Sequence, residues 1–411
     1  MLDYTKKHIK SLKPAATLAI NEKCKALRAE GKKVFNFGFG GSPFSIPEKI
    51  VLALKNNAHK KEYLPSAGLK NLRETIAKYI NLYSNNHFEQ DDIIIGPGTK
   101  QLMFLLQLGF EGEFIFPTGS WVSYEPQAKI AKNKVHWIKT SRENNWFPKP
   151  EEIEKKIKSI KNKNIILFLN SPNNPSGAIC KNLKEIAEVA KKYKIIVLSD
   201  EIYTQLQFDG KYNSISEYYP EGTIISSGLS KWLGAGGWRL GFFAVPSKLR
   251  NILKMIKILS SESLSAVSAP IQYAAVEAFS NDFSDYLDKT RSILFSVGNY
   301  VYNNLKSNKV LINPPQGGFY IMPEFLNSKF KSSSEMCDDI IKKTGVALLP
   351  GSDFGFKPNK MLTRLSYTDF DGATFLKNLD GSKKLDDDVI KKFAPNVVEG
   401  TKRLAEWSKS L

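Results

Sequence analysis

The sequence predicts an α/β fold: a large domain built on a mostly parallel sheet, joined to a smaller α+β domain. Three observations carry that prediction. Between about residues 92 and 245, short apolar runs alternate with longer amphipathic stretches, the pattern of buried strands joined by crossover helices. After about residue 285 the pattern changes to long helical stretches with few strands between them. Polar or glycine-rich turns follow the apolar runs of the middle segment, where open parallel sheets place their ligands.

In chain order, ATLAINEKCKALRAEG (16–31) has helical spacing and ends on Gly31, a residue suited to a left-handed closing turn, so a helix packing on the second domain is expected. DDIIIG opens the alternating region and QLMFLLQLGF (101–110) reads as its first helix. EFIFP, KVHWI and NIILFLN are strands, CKNLKEIAEVAKKYK (180–194) is a helix, and IIVLSD, TIISS and LGFFAV are strands. Beyond them, DYLDKTRSILFSVGNYVYNNLK reads as a long helix, GGFYIMPEF and KMLTRLSYT as strands, and SEMCDDIIKKTG and DDDVIKKFAPNVVEGTKRLAEWSKSL as further helices. The expected division is a large domain over 46–285 and a small one over 1–45 and 286–411.

A chain of 411 residues, 42% of them hydrophobic, is long enough to bury a core, which excludes disorder as its main state. Apolar runs such as 165–169 fall far short of the roughly 20 residues that span a bilayer, and the start shows no signal-peptide core, so an unexported protein without a membrane partner is expected. Cys24, Cys180 and Cys337 are odd in number and widely spaced, which fits a reducing cytoplasm. His8, His59, His87 and His136 offer no metal-ligand spacing, and no metal is expected. The net charge of +18 raises the question of nucleic acid, but only eight of the 59 basic residues are arginines and the 51 lysines are spread along the chain. A lysine-rich solvated surface is the reading, with no nucleic-acid partner.

The strand ends carry the chemistry. Asn174 lies in SPNNPSG after NIILFLN; Asp200 ends IIVLSD, with Tyr203 just beyond; Lys231 and Arg239 lie in GLSKWLGAGGWRLG after TIISS; and Gly98, Thr99 and Lys100 form a glycine turn opening a helix whose free N–H groups suit a phosphate. Pyridoxal 5'-phosphate needs this set together: an amine to bond its aldehyde, a carboxylate to keep its ring nitrogen protonated, donors for its phenolic oxygen, an aromatic cover such as Trp121, and a cation and helix N-terminus for its phosphate.

The chain resembles the class I/II aminotransferases of fold type I, in the branch holding bacterial aspartate and aromatic aminotransferases. The likeness runs in order through LKPAATLAINEKCKALRAEG, YLPSAGLKNLRETIA, IIIGPGTKQ, WVSYEP, NSPNNPSG, SDEIY, GLSKWLGAGGWRLGF, GGFY, GVALLPGSDFG and TRLSY. The resemblance implies that Lys231 is the Schiff-base lysine, that Asp200 pairs with the ring nitrogen, that Asn174 and Tyr203 hold the phenolic oxygen and that Trp121 stacks on the ring. It places Arg239, Gly98, Thr99 and Lys100 in phosphate-binding segments, Tyr63 at a neighbouring subunit's phosphate, and Arg364 and Gly40 at the substrate α-carboxylate. It further implies a homodimer with shared active sites, moving an amino group from an L-amino acid to a 2-oxo acid, 2-oxoglutarate by family analogy. β-Elimination of the C–S lyase type on the same fold is the alternative. Ser263 and Ser265 fall where relatives often carry a phosphate-proximal hydroxyl. Where many relatives read GEPDF, this chain has GGSPF at 40–44, so the donor is left open between acidic, aromatic and other amino acids; Phe37, Phe39, Phe44 and Tyr320 would suit an apolar or aromatic one.

Overall fold

The computed structural model describes residues 4–83, 86–379 and 385–411. Seven strands form one sheet in the order Ile93–Gly96, Gly241–Ala244, Thr223–Gly228, Ile196–Asp200, Ile165–Asn170, Glu113–Pro117 and Val135–Ile138. Six run parallel; Gly241–Ala244 runs against both of its neighbours.

The central strands are mostly apolar because both faces of the sheet are covered there. Alternate side chains of one strand go to opposite faces. Ile165, Leu167 and Leu169 join a cluster with Ile153 and Ile157 of the Pro150–Ser159 helix and Ile186 and Ala190 of the Leu183–Lys192 helix. Ile166 and Phe168 face the other way, onto Leu102 and Leu106 of the Thr99–Gly109 helix and Leu253 and Ile256 of the Arg250–Ser263 helix. Each fully buried Ile, Leu or Phe contributes on the order of 1.5–3 kcal/mol. The Thr99–Gly109 helix starts two residues before the apolar stretch that announces it, because Gly98 turns the chain at φ +82°.

The remaining strands are short. Tyr320–Ile321, Thr363–Ser366 and Leu349–Pro350 make a small antiparallel sheet with Thr363–Ser366 in the middle. GGFYIMPEF, expected as one strand, divides in two: Tyr320–Ile321 joins that sheet and Glu324–Phe325 pairs with Val310–Leu311. Pro323 lies at the break, where it has no N–H to give and its carbonyl instead accepts from Thr363 N at 3.0 Å. Phe35–Asn36 pairs in parallel with Val346–Ala347, and Cys24 of the Ala16–Ala29 helix packs with Ala347 and Ile341, so the N-terminal segment rests on the C-terminal elements. Gly31, at φ +79°, closes that helix with Lys32 N bonded to Leu27 O. The final helical stretch divides at Ala394 into Asp387–Phe393 and Pro395–Ser408, the second opened by proline at its first turn. Among the described residues no helix is long and apolar enough to cross a membrane.

Candidate active site

Register sets the floor of the site. Asn170 pairs with Asp200 and Asp200 with Ser226, so two neighbouring strands end level and the third runs two residues further, to Gly228. The Asn170 amide donates to the Asp200 carbonyl at 2.8 Å, and its Oδ1 accepts from Asn174 N at 2.7 Å. That pair of bonds ties the turn after one strand to the end of the next. The turn contains a cis Ser171–Pro172 peptide and is further closed by Asn173, whose Oδ1 accepts from the Ser176 amide and hydroxyl.

These ends open into a cavity of about 630 Å³ lined by Lys231, Asp200, Tyr203, Asn174, Trp121, Gly98, Thr99, Lys100, Arg239, Arg364 and Gly40, eleven of the twelve residues singled out in the sequence. Tyr63 is the twelfth; it is 92% exposed and does not line the cavity. Ser263 and Ser265 are also outside it, the Ser263 hydroxyl being spent on Leu259 O in its own helix. Phe39 reaches the cavity, whereas Phe37 and Phe44 are core.

Asp200 is buried, and burial pushes its carboxyl up to about 6 against the stabilising hydrogen bond from Tyr124. The Tyr124 hydroxyl donates to Oδ2 at 2.5 Å, while the buried Oδ1 has no partner among the described residues. Lys231 Nζ donates to Gly40 O at 2.8 Å, and burial, with Arg364 and Arg239 nearby and Asp200 opposing, holds its amine down at about 8. Arg364 is fully buried: Nη1 donates to Asn174 Oδ1 at 3.1 Å, Nη2 to Gly38 O, and its guanidinium lies 4.6 Å from the Tyr320 ring centroid. Among the described residues no carboxylate pairs with it and its Nε has no partner. Arg239 closes the opposite end, with Nη1 on Gly236 O and Nη2 on Pro97 O; a Cβ at Gly98 would overlap Nη2, so only glycine lets the two approach. Lys100 Nζ sits 5.2 Å over the Trp121 ring, its basicity lowered by burial and then by Arg239.

The set fits pyridoxal phosphate. A buried carboxylate oxygen lacks a partner where a protonated ring nitrogen needs one, an amine of depressed pKa lies near it, and a helix N-terminus with an adjoining arginine provides for a phosphate. Sequence reasoning missed Tyr124 and Asn170, which hold Asp200, and Thr17 and Leu18 of the first helix, which line the cavity from the far side.

Comparison with known proteins agrees. The family model for aminotransferase class I and II matches residues 32–374. An aspartate aminotransferase of Geobacillus stearothermophilus is 35% identical over 88% of this chain and 93% of its own length, and one of Bacillus subtilis 33% identical over the same shares. The structure of an aspartate aminotransferase from Thermus thermophilus with maleate superposes with a TM-score of 0.85 over 98% of this chain and all of that one, at 25% identity. The chain therefore belongs to the class I and II aminotransferases, and it is a pyridoxal-phosphate-dependent transaminase.

Proposed function

We propose that the protein moves the amino group of an acidic L-amino acid, aspartate foremost, to a 2-oxo acid such as 2-oxoglutarate, with pyridoxal 5'-phosphate held in the cavity. The observation that carries this reading is the set of charged groups left without counterparts there: Asp200 Oδ1, the Arg364 guanidinium and the Lys231 amine. Lys231 would bond the cofactor, Asp200 would face its ring nitrogen, and the Asn174 amide and Tyr203 hydroxyl would hold its phenolic oxygen. Trp121 would cover the ring, while Gly98, Thr99, Arg239 and the Lys100 backbone amide would hold the phosphate. The cofactor supplies an electron sink for the pair left when the substrate's α-proton departs.

The chain's own residues do the rest. Lys231, as the free amine, moves the α-proton, a task eased because burial, with Arg364 and Arg239 nearby, lowers its basicity. Arg364 forks the α-carboxylate, its two Nη groups held by Asn174 and Gly38, beside the Gly40 backbone. An acidic donor needs a second cation. Of the four that line the cavity, Lys231, Arg239 and Arg364 have the roles above, which leaves the Lys100 side chain for the distal carboxylate. The names of the relatives support an acidic donor, as does maleate, a dicarboxylate, in the Thermus structure. The exposed Tyr63 ring supports a homodimer in which it completes a partner's phosphate site, and the three unpaired, buried cysteines support a cytoplasmic setting.

The test is a screen of the purified protein against all amino acids with 2-oxoglutarate, together with borohydride reduction. Aspartate and glutamate are expected to lead, with the reduced cofactor on Lys231. Labelling of another lysine would overturn the assignment; 2-oxo acid and ammonia released without an acceptor would shift the reading to β-elimination.

A further inference from the structure

Tyr320 touches more of the site than any role so far gives it. It is buried, and its strand pairs with the strand that carries Arg364, through Tyr320–Ser366 and Ile321–Leu365. Its ring underlies the Arg364 guanidinium, and its hydroxyl lies 3.0 Å from the Tyr203 hydroxyl and 3.5 Å from Gly40 O. A Cβ at Gly40 would overlap that hydroxyl, so residue 40 is a glycine because Tyr320 is there. Tyr203 stands beyond the strand that ends at Asp200, so the hydroxyl contact joins the large sheet to the small one.

We propose that Tyr320 is a positioning residue that joins the carboxylate anchor to the cofactor's phenol donor, its ring setting the plane of Arg364 and its hydroxyl donating to Tyr203. The inference rests on the reading that Tyr203 faces the phenolic oxygen of pyridoxal phosphate. The proton count requires the direction of that bond. A tyrosine hydroxyl has one proton to give. If Tyr203 gives its proton to the phenolic oxygen, the contact at 3.0 Å survives only with Tyr320 as the donor, and Tyr320 then has none left for Gly40 O. Little is lost there, because at 3.5 Å that carbonyl lies at the limit of hydrogen-bond reach from Tyr320. Burial raises both phenols, so each keeps its proton at neutral pH and the pair holds two protons for two bonds. A donor bonded onto Tyr203 polarises its O–H and strengthens what it gives onward, so anionic character at the phenolic oxygen is stabilised from two bonds away.

Two variants separate ring from hydroxyl. Tyr320→Phe keeps the ring under Arg364 and removes the proton donor; the pH midpoint of the bound cofactor's visible absorbance should rise by about half a unit, the size of one modest hydrogen bond. Affinity for maleate, an unreactive dicarboxylate, should stay within about twofold by calorimetry. Tyr320→Leu removes the ring as well, and maleate affinity should fall about fivefold to tenfold, as loss of a buried cation–π contact predicts. A Tyr320→Phe midpoint equal to that of the unaltered protein overturns the proposal, whatever happens to its melting temperature, since lost packing alone would not move the titration. If the unaltered protein shows no visible cofactor band and no borohydride trapping on Lys231, the cofactor reading has failed instead. Should Tyr320→Leu not fold, the Phe titration decides alone.

Discussion

The two sides of the cavity are held by different means. The cofactor side stands on strands of five or six residues whose register aligns Asn170, Asp200 and Ser226. The substrate side hangs on strands of two to four residues, and side chains fix it: Arg364 between Asn174, Gly38 and two aromatic rings, and Gly40 against Tyr320. A ladder positions its residues through the backbone, so changing a side chain there removes chemistry and leaves shape. Where side chains do the positioning, the same change removes both.

The sharpest test is Lys231→Ala, which would delete the proposed base and the proposed covalent anchor together. Turnover should fall by roughly 10⁴-fold, while thermal denaturation shows no loss of stability, because the removed amine was costly to bury. Asp200→Asn comes next. It should cost about 10²–10³-fold in kcat with the cofactor retained, again without a loss of fold. Asp200 also sets a pH window. Its folded pKa of about 6 lies above the ordinary 3.8, so the cofactor-free protein loses this group's contribution to stability as pH rises from 3.8 to about 6. Affinity for the protonated cofactor ring should rise through the same window. Equilibrium dialysis of cofactor against pH should show that rise, and the Asn variant should flatten it.

On the other side, Arg364→Lys should lower kcat/KM about 10- to 100-fold for donors and oxo acids alike, because a point cation cannot reproduce the fork. It should also cost about 1–3 kcal/mol of stability, since Asn174 Oδ1 and Gly38 O lose their donors in a buried place. Denaturant titration beside Asp200→Asn decides the comparison: equal stability losses at the two positions would break it. Smallest is Gly40→Ala, expected to raise KM severalfold through the clash with Tyr320 and, by pushing the Tyr320 hydroxyl off Tyr203, to raise the pH midpoint of the cofactor's absorbance as Tyr320→Phe does.

The cofactor side was the more legible of the two in the sequence. Apart from Arg239, its residues sit at or soon after the end of an apolar run, and runs of IILFLN or IIVLSD type fit a sheet buried on both faces. The reversal of LGFFAV was not legible, because an apolar strand reads the same in either direction. Nor was Tyr124: its partner Asp200 lies 76 residues away, and before the fold is known an aromatic in WVSYEP is indistinguishable from core. The split of GGFYIMPEF was announced by Pro323, yet which sheet each half would join depends on partners far along the chain. Thr17 and Leu18 line the cavity on a helix whose Ala16 and Ile20 pack against Leu349 and Phe354, a long-range contact with no local signature.

No α-helix precedes the reversed Gly241–Ala244 strand, only a single 3-10 turn at Gly236–Trp238. The chain turns back from Gly228 directly, and Lys231 and Arg239 both lie in that return, at one end of the sheet. The span between the amine and the guanidinium is therefore a matter of contour length, held to its path by left-handed turns at Gly234 and Arg239. A crossover can absorb an added residue by letting its helix slide or its loop bulge; this tether has no such slack. Single-residue insertions scanned through the gene should be tolerated between Ile160 and Asn164, behind the sheet, and should abolish cofactor retention anywhere between Trp232 and Trp238.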